Sequence, residues 1–232
     1  GGYSPNPLIY LTAASQRSTK CRLVTGAILP VFNNPLKVAA EIGEVDAISN
    51  GRLDVGFARA FLPHEFRRMN CSLDESRARF EEGLAMVTRL LEEETVTMEG
   101  EFHSFEDVTT LPRPTQQPRP PFWIAASSSD ESFINAGTLG HGLMTFPREP
   151  ALVKHWISLY RNAWKAAGHP GQGRVMIAFH MFCATTDKEA EASFREPIEA
   201  YMKTLVNAAS DWSRGTESKD YPNHPETFEA LR

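Results

Sequence analysis

Residues 34–59 read NPLKVAAEIGEVDAISNGRLDVGFAR, and this stretch decides the fold. Asn34 is an N-cap residue and Pro35 suits the first helical position, where no amide hydrogen is needed. Val38, Ile42, Val45 and Ile48 then recur at helical spacing and define a helix over about 35–49. Asn50-Gly51 stops it, since both residue types tolerate the left-handed backbone that ends helices. Only a tight turn separates that stop from a nearly continuous apolar run at 53–58, which reads as a strand buried on both faces.

The same unit recurs in both directions. Upstream, residues 21–29 (CRLVTGAIL) form an apolar strand-like run, and the chain opens at Gly1-Gly2-Tyr3 as if in mid-loop. Downstream, 59–72 is irregular, and a helix over about 73–94 carries the stripe Phe80, Leu84, Val87 and Leu91. Residues 96–105 read as a small hairpin, and the proline-rich 111–121 as an extended approach to a strand at 122–126. A helix to about Leu139, strand 142–146, helix 150–167, strand 175–184 and helix 187–209 follow, with Pro197 expected to kink or divide the last. Alternating parallel strands and helices with no internal linker predict one α/β domain over 1–232. Pattern alone fits an open doubly wound sheet or a (β/α)8 barrel, with too few core strands for a closed barrel.

Composition excludes several classes. A net charge of −5, with both signs interspersed, lacks the basic patch that nucleic acid requires. No apolar run is long enough for a transmembrane helix, and no leader is evident, so a cytoplasmic protein is expected. Cys21, Cys71 and Cys183 are odd in number and widely spaced, so free core or near-core thiols are expected. The histidines lack His-x-x-x-His or His-Glu-x-x-His spacing, so no metal is expected. Walker, Gly-x-Ser-x-Gly and Gly-x-Gly-x-x-Gly motifs are missing too.

In a parallel α/β fold the site lies at the carboxyl ends of the strands. Those ends carry Thr25-Gly26-Ala27, Arg59, Ala126 to Ser129, Met144-Thr145 and the segment around His180. An arginine with the free N–H groups of a helix start suits a phosphate, and Arg77 in the next helix is placed to converge on it. The structural alternatives are a strand-end ion pair for Arg59, a solvated helix face for Arg77 and a plain N-cap for Ser127–Ser129. His64 and His180 are weak catalytic candidates, against a surface and a core histidine respectively; alternation in 177–183 sends His180 and its neighbours Phe179 and Met181 to opposite faces. His141, before a strand at the opposite end, reads as structural.

Several motifs carry a family resemblance. Residues 48–61 (ISNGRLDVGFARAF) resemble the S-x-G-R-x-x-x-G-x-x-R-G signature of the bacterial-luciferase-like flavin-dependent monooxygenases. Leu29-Pro30 to Asn34-Pro35, Asp74-Glu75-Ser76-Arg77, and the approach from Pro112-Arg113-Pro114 to Trp123-Ile124-Ala125-Ala126 resemble further segments of that family, in the same order.

The resemblance implies a (β/α)8 TIM-type barrel, here without its first two and last strands, as in a fragment. It implies that reduced FMN binds at the strand ends, with Arg59, Arg77, Ala126, Ser127, Ser128 and Asp130 around the phosphate. Thr25, Gly26 and Ala27 would lie under the flavin ring, at a non-proline cis peptide. The family's reactive cysteine aligns with Ala58, and its Glu-His-His segment has no counterpart. The implied activity is oxygenation of a small apolar organic substrate with reduced FMN and O2, the reduced flavin coming from a separate reductase. A deazaflavin (F420)-dependent dehydrogenase or reductase and a non-catalytic flavin-binding subunit are the alternatives. A homodimer is expected through 36–48, and lids at 96–111 and 211–226.

Overall fold

The computed structural model describes residues 6–222 and 224. The described chain falls into two compact units, one over residues 6–59 and 77–178, the other over 60–76 and 179–224.

The first unit holds a five-stranded parallel sheet. Its strands are β1 (Leu23–Val24), β2 (Leu53–Phe57), β5 (Phe122–Ala125), β6 (Gly142–Thr145) and β7 (Val175–Ile177), in the order β1-β2-β5-β6-β7. Between β2 and β5, β3 (Val96–Glu99) and β4 (Ser104–Val108) make a separate antiparallel hairpin. Helices α2 (Pro35–Ile48), α4 (Ser76–Glu92), α5 (Asp130–Thr138) and α6 (Pro150–Ala166) connect the strands. This is the parallel strand–helix succession of an incomplete barrel, which the pattern alone left beside an open sheet and the family resemblance implies.

One face of the sheet meets the helices. Leu53, Val55, Phe57, Phe122, Ile124 and Leu143 pack there with Ile42, Leu91, Phe133 and Tyr160. Strand alternation sends Asp54, Gly56, Trp123 and Met144 to the other face. Val38, Ile42 and Val45 are buried in this core, but Ile48, the last member of the expected stripe, is 43% exposed. The apolar side of 36–48 is therefore spent on the protein's own sheet.

Two charged clusters finish the amino-terminal edge of the sheet. Arg52 donates to the carbonyls of Ser15, Cys21 and Ser49, tying the first helix to the strand layer. Buried Asp54 pairs with Arg22 through two hydrogen bonds of 2.8 and 3.0 Å, which raises the Arg22 pKa. Buried Asp46 accepts from the Gln116 amide nitrogen at 2.8 Å and its side-chain Nε2 at 2.7 Å. Much of the signature is thus fold-building. His141, at the same edge, is buried beside Phe122; burial, then Arg119 and His169, push its pKa down to about 3. Its reading as a structural histidine holds.

Several expectations need correction. The opening stretch contains a helix, α1 (Pro7–Ser15), capped by the Asn6 side chain, which accepts from the Leu8 amide. Asn6-Pro7 is the same start signal as Asn34-Pro35, so the sequence carried it. Of the strand expected at 21–29, Leu23–Val24 is regular and Ile28 makes an isolated bridge to Phe57; a cis peptide joins Gly26 and Ala27 between them, and a 3-10 turn follows at Pro30–Phe32. The hairpin at 96–108 is no free lid: Val96 is buried, and the Glu82 carboxylate accepts from the Phe102 and His103 amides. Cys21 and Cys183 are exposed and Cys71 half-buried, so the thiols are free but not in the core.

The second unit comprises α3 (Pro63–Arg68), α7 (Asp187–Ala208) and a small core of Leu62, Ala209, Trp212 and Tyr221. The irregular stretch 59–72 therefore contains a short helix, which Pro63 opens. Trp212 Nε1 donates to the Phe61 carbonyl at 2.8 Å, which ties Trp212 into this unit's small core. Residues 223 and 225–232, which include the end of the expected lid at 211–226, lie outside the described residues. α7 runs unbroken through Pro197, whose ring sits on an exposed face.

Candidate active site

Strand register brings the predicted residues to one edge of the sheet. Phe57 of β2 pairs with Ile124 of β5, so Arg59 and Ala126 each lie two residues past that pair on adjacent strands. Ala126 is buried, and its amide donates to Met144 of β6, closing the sheet before the chain turns into α5. Ser127 and Ser128 are exposed on that turn, and Ser129 caps α5 by backbone position without a side-chain cap bond. α5 thus starts at the carboxyl edge without a side-chain cap bond, and a helix dipole at such a start favours an anion.

Arg77, the second residue of α4, reaches the same turn. Its Nη1 lies 2.8 Å from Oε2 of Glu131, the second residue of α5. The contact ties the start of α4 to the start of α5. Arg59 is half-buried at the end of β2. Two guanidinium-bearing residues and a helix start therefore belong to one strand-end edge, which is what phosphate binding by hydrogen bonds and charge needs.

Thr25 and Gly26 divide two roles. Thr25 is buried, and its hydroxyl donates to the Gly56 carbonyl at 3.0 Å and accepts from the Gly56 amide at 2.8 Å. Its side chain is committed to joining β1 and β2. Gly26 is exposed, with open space where a Cβ would stand, and it begins the cis peptide to Ala27. A flat apolar ring finds unobstructed backbone there.

Asp130 points elsewhere. Its Oδ1 accepts from Trp156 Nε1 at 2.9 Å and its Oδ2 lies 3.2 Å from His155 Nε2, both on α6. The carboxylate braces α5 against α6, a role sequence reading did not assign. Glu131 was missed too; nothing in sequence spacing links it to Arg77, 54 residues upstream (131 − 77). Thr145, at the end of β6, has a buried hydroxyl without a hydrogen-bond partner, beside the Ala126–Ser127 strand end.

The histidine candidates belong to the second unit. His180 is not in a strand, since β7 stops at Ile177. It is exposed and stands edge-on to Tyr201 of α7 with ring centroids 4.9 Å apart. Phe179 and Met181 are 67% and 79% exposed, so the expected division between two faces does not arise. Exposure also removes the core reading of His180. His64 is half-buried in α3 rather than in a loop.

The donors present fit a flavin mononucleotide: guanidinium groups and free helix amides for a dianion, open backbone at Gly26, and an unpartnered hydroxyl at Thr145. Comparison with known proteins identifies the family. A family model described as luciferase-like monooxygenase matches residues 1–230. The oxygenase component of a flavin-dependent trigonelline monooxygenase from Acinetobacter baylyi is 37% identical over 90% of this chain and 57% of its own length. A monooxygenase crystal structure from Streptomyces bottropensis is 44% identical, with a TM-score of 0.85 over 92% of this chain and 66% of that one. The oxygenating constituent of 3,6-diketocamphane monooxygenase from Pseudomonas putida, solved with FMN, shares the fold at 22% identity and a TM-score of 0.79, covering 91% of this chain and 62% of that one. The chain thus spans between about half and two thirds of the length of these relatives. It belongs to the luciferase-like monooxygenase family.

Proposed function

We propose that the protein is the oxygenase of a two-component flavin system, using reduced FMN and O2 to oxygenate a small apolar organic substrate. The observation that carries this reading is Arg77 at the first turn of α5, on the strand edge that also bears Arg59. In this reading Arg59, Arg77, Ser127, Ser128 and the α5 amides hold the phosphate. Gly26 and Ala27 support the ring, and Thr25 and Ala126 keep the strand edge in register. Bound reduced FMN would supply the electrons that activate O2. The protein's task is to orient flavin and substrate and to keep water from the reacting atoms.

A separate reductase would deliver the reduced flavin, in a cytoplasmic setting. Among the described residues no helix is long and apolar enough to cross a membrane. A homodimer is included by resemblance, and sedimentation as a monomer at micromolar concentration would remove it.

The test is single-turnover. The intact protein, loaded anaerobically with reduced FMN, is mixed with isotopically heavy O2 and a panel containing trigonelline, apolar ketones and terpenes. Mass spectrometry should find one heavy oxygen atom in a product. Oxidation of substrate without O2, and only with F420, would replace the reading by the dehydrogenase alternative. Flavin binding with no chemistry on any panel member would favour a non-catalytic subunit.

A further inference from the structure

The Arg77–Glu131 pair joins two separate elements at the mouth of the proposed phosphate site. Glu131 Oε2 is 2.8 Å from Arg77 Nη1, and the side chains are 59% and 33% exposed. Its neighbour Asp130 is committed to Trp156 and His155, so the two acids of the first α5 turn do different work. The Asp130 carboxylate is directed to α6, whereas that of Glu131 sits on the guanidinium a phosphate would use.

Resting on the flavin reading above, we infer that Glu131 is an internal anion that occupies Arg77 when no phosphate is bound and opposes the phosphate when it arrives. A guanidinium has five donors, so Arg77 can keep one bond to Glu131 while others turn to a phosphate. The carboxylate then stands close to a second, doubly charged anion. Like charges at this range weaken binding even in a solvated setting. Glu131 therefore makes the site one that exchanges its flavin instead of retaining it. That suits an enzyme whose reduced flavin is delivered by another protein.

Glu131→Gln tests this, because it keeps the shape and a hydrogen bond to Arg77 but removes the charge. Fluorescence titration of the intact protein with FMN and with riboflavin, which has no phosphate, gives affinity; stopped-flow displacement gives the release rate. Glu131→Gln should bind FMN about three- to tenfold more tightly and release it correspondingly more slowly at low salt, with riboflavin unchanged. The gain should shrink as salt rises. Glu131→Asp, which keeps the charge, should bind FMN less tightly than the Gln variant. Unchanged or weaker FMN binding by Glu131→Gln, with wild type preferring FMN to riboflavin, would overturn this inference and leave the flavin reading intact. A wild-type protein that binds FMN no better than riboflavin would overturn both.

Discussion

Gly56→Ala introduces a methyl group where the sheet has no room. A Cβ at Gly56 would lie 2.1 Å from the Thr25 carbonyl oxygen and 2.9 Å from the Met144 sulfur. Met144 can turn aside, but the Thr25 oxygen is backbone, so β1 must move away from β2. That movement strains the two hydrogen bonds by which the Thr25 hydroxyl holds Gly56. Overpacking costs about 1–3 kcal/mol and each weakened bond up to about 1 kcal/mol, so a loss of roughly 2–4 kcal/mol is expected. With a urea dependence of about 2–3 kcal/mol per molar, the unfolding midpoint should fall by roughly 1 M. The control is Gly26→Ala, where a Cβ meets nothing within 4 Å. Its midpoint should stay near wild type while flavin binding weakens, because the methyl group projects where the ring is proposed to lie. Urea unfolding followed by far-ultraviolet circular dichroism, with flavin titration of both variants, measures the contrast. A Gly56→Ala protein as stable as wild type would refute the close-approach argument. A Gly26→Ala protein with unaltered flavin binding would remove Gly26 from the site.

Two further predictions follow from named contacts. Asp130→Ala releases Trp156 Nε1 and His155, so it should cost about 1–2 kcal/mol of stability and weaken FMN and riboflavin to the same extent. A loss confined to FMN in the same titrations would make Asp130 a phosphate-site residue instead. His141 is held neutral, with its pKa pushed down to about 3, so the unfolded chain takes up this proton as pH falls through about 6.5 while the folded chain does not. Its contribution is present above that pH and is lost on acidification, by about 2 kcal/mol at pH 5. Urea midpoints measured from pH 7.5 to 5 should therefore fall less steeply for His141→Phe than for wild type. Parallel slopes would show that His141 does not couple folding to protons.

The sequence revealed the parallel strand–helix order because it is written in long periodic segments: α2, α4 and α6 all fall within a few residues of their expected bounds. It misjudged segments where apolar content does not become regular strand. Residues 178–183 are as apolar as a strand, yet β7 ends at Ile177, and Phe179 and Met181 stand exposed. The run 21–29 likewise pairs regularly only at Leu23–Val24 and again by a single bridge at Ile28. At the site, register alone placed Arg59 beside the Ser127 turn. The partners of Asp130 and Arg77 were hidden, because α5–α6 and α4–α5 contacts join side chains far apart in sequence. The signature motif was legible as a motif but not as two functions. Arg52 and Asp54 build the amino-terminal edge, whereas Arg59 lies at the carboxyl edge.

The central claim is that Arg59 and Arg77 jointly hold a flavin phosphate. Its most direct measurement is the pair of dissociation constants for FMN and riboflavin in wild type, Arg59→Ala and Arg77→Ala. A charge-assisted hydrogen bond contributes about 1.5–3 kcal/mol, so each variant should lose roughly ten- to a hundredfold in FMN affinity. Riboflavin, which has no phosphate to hold, should bind all three proteins alike. Equal losses for the two ligands in either variant would show that the arginine acts through the fold, and would contradict the account.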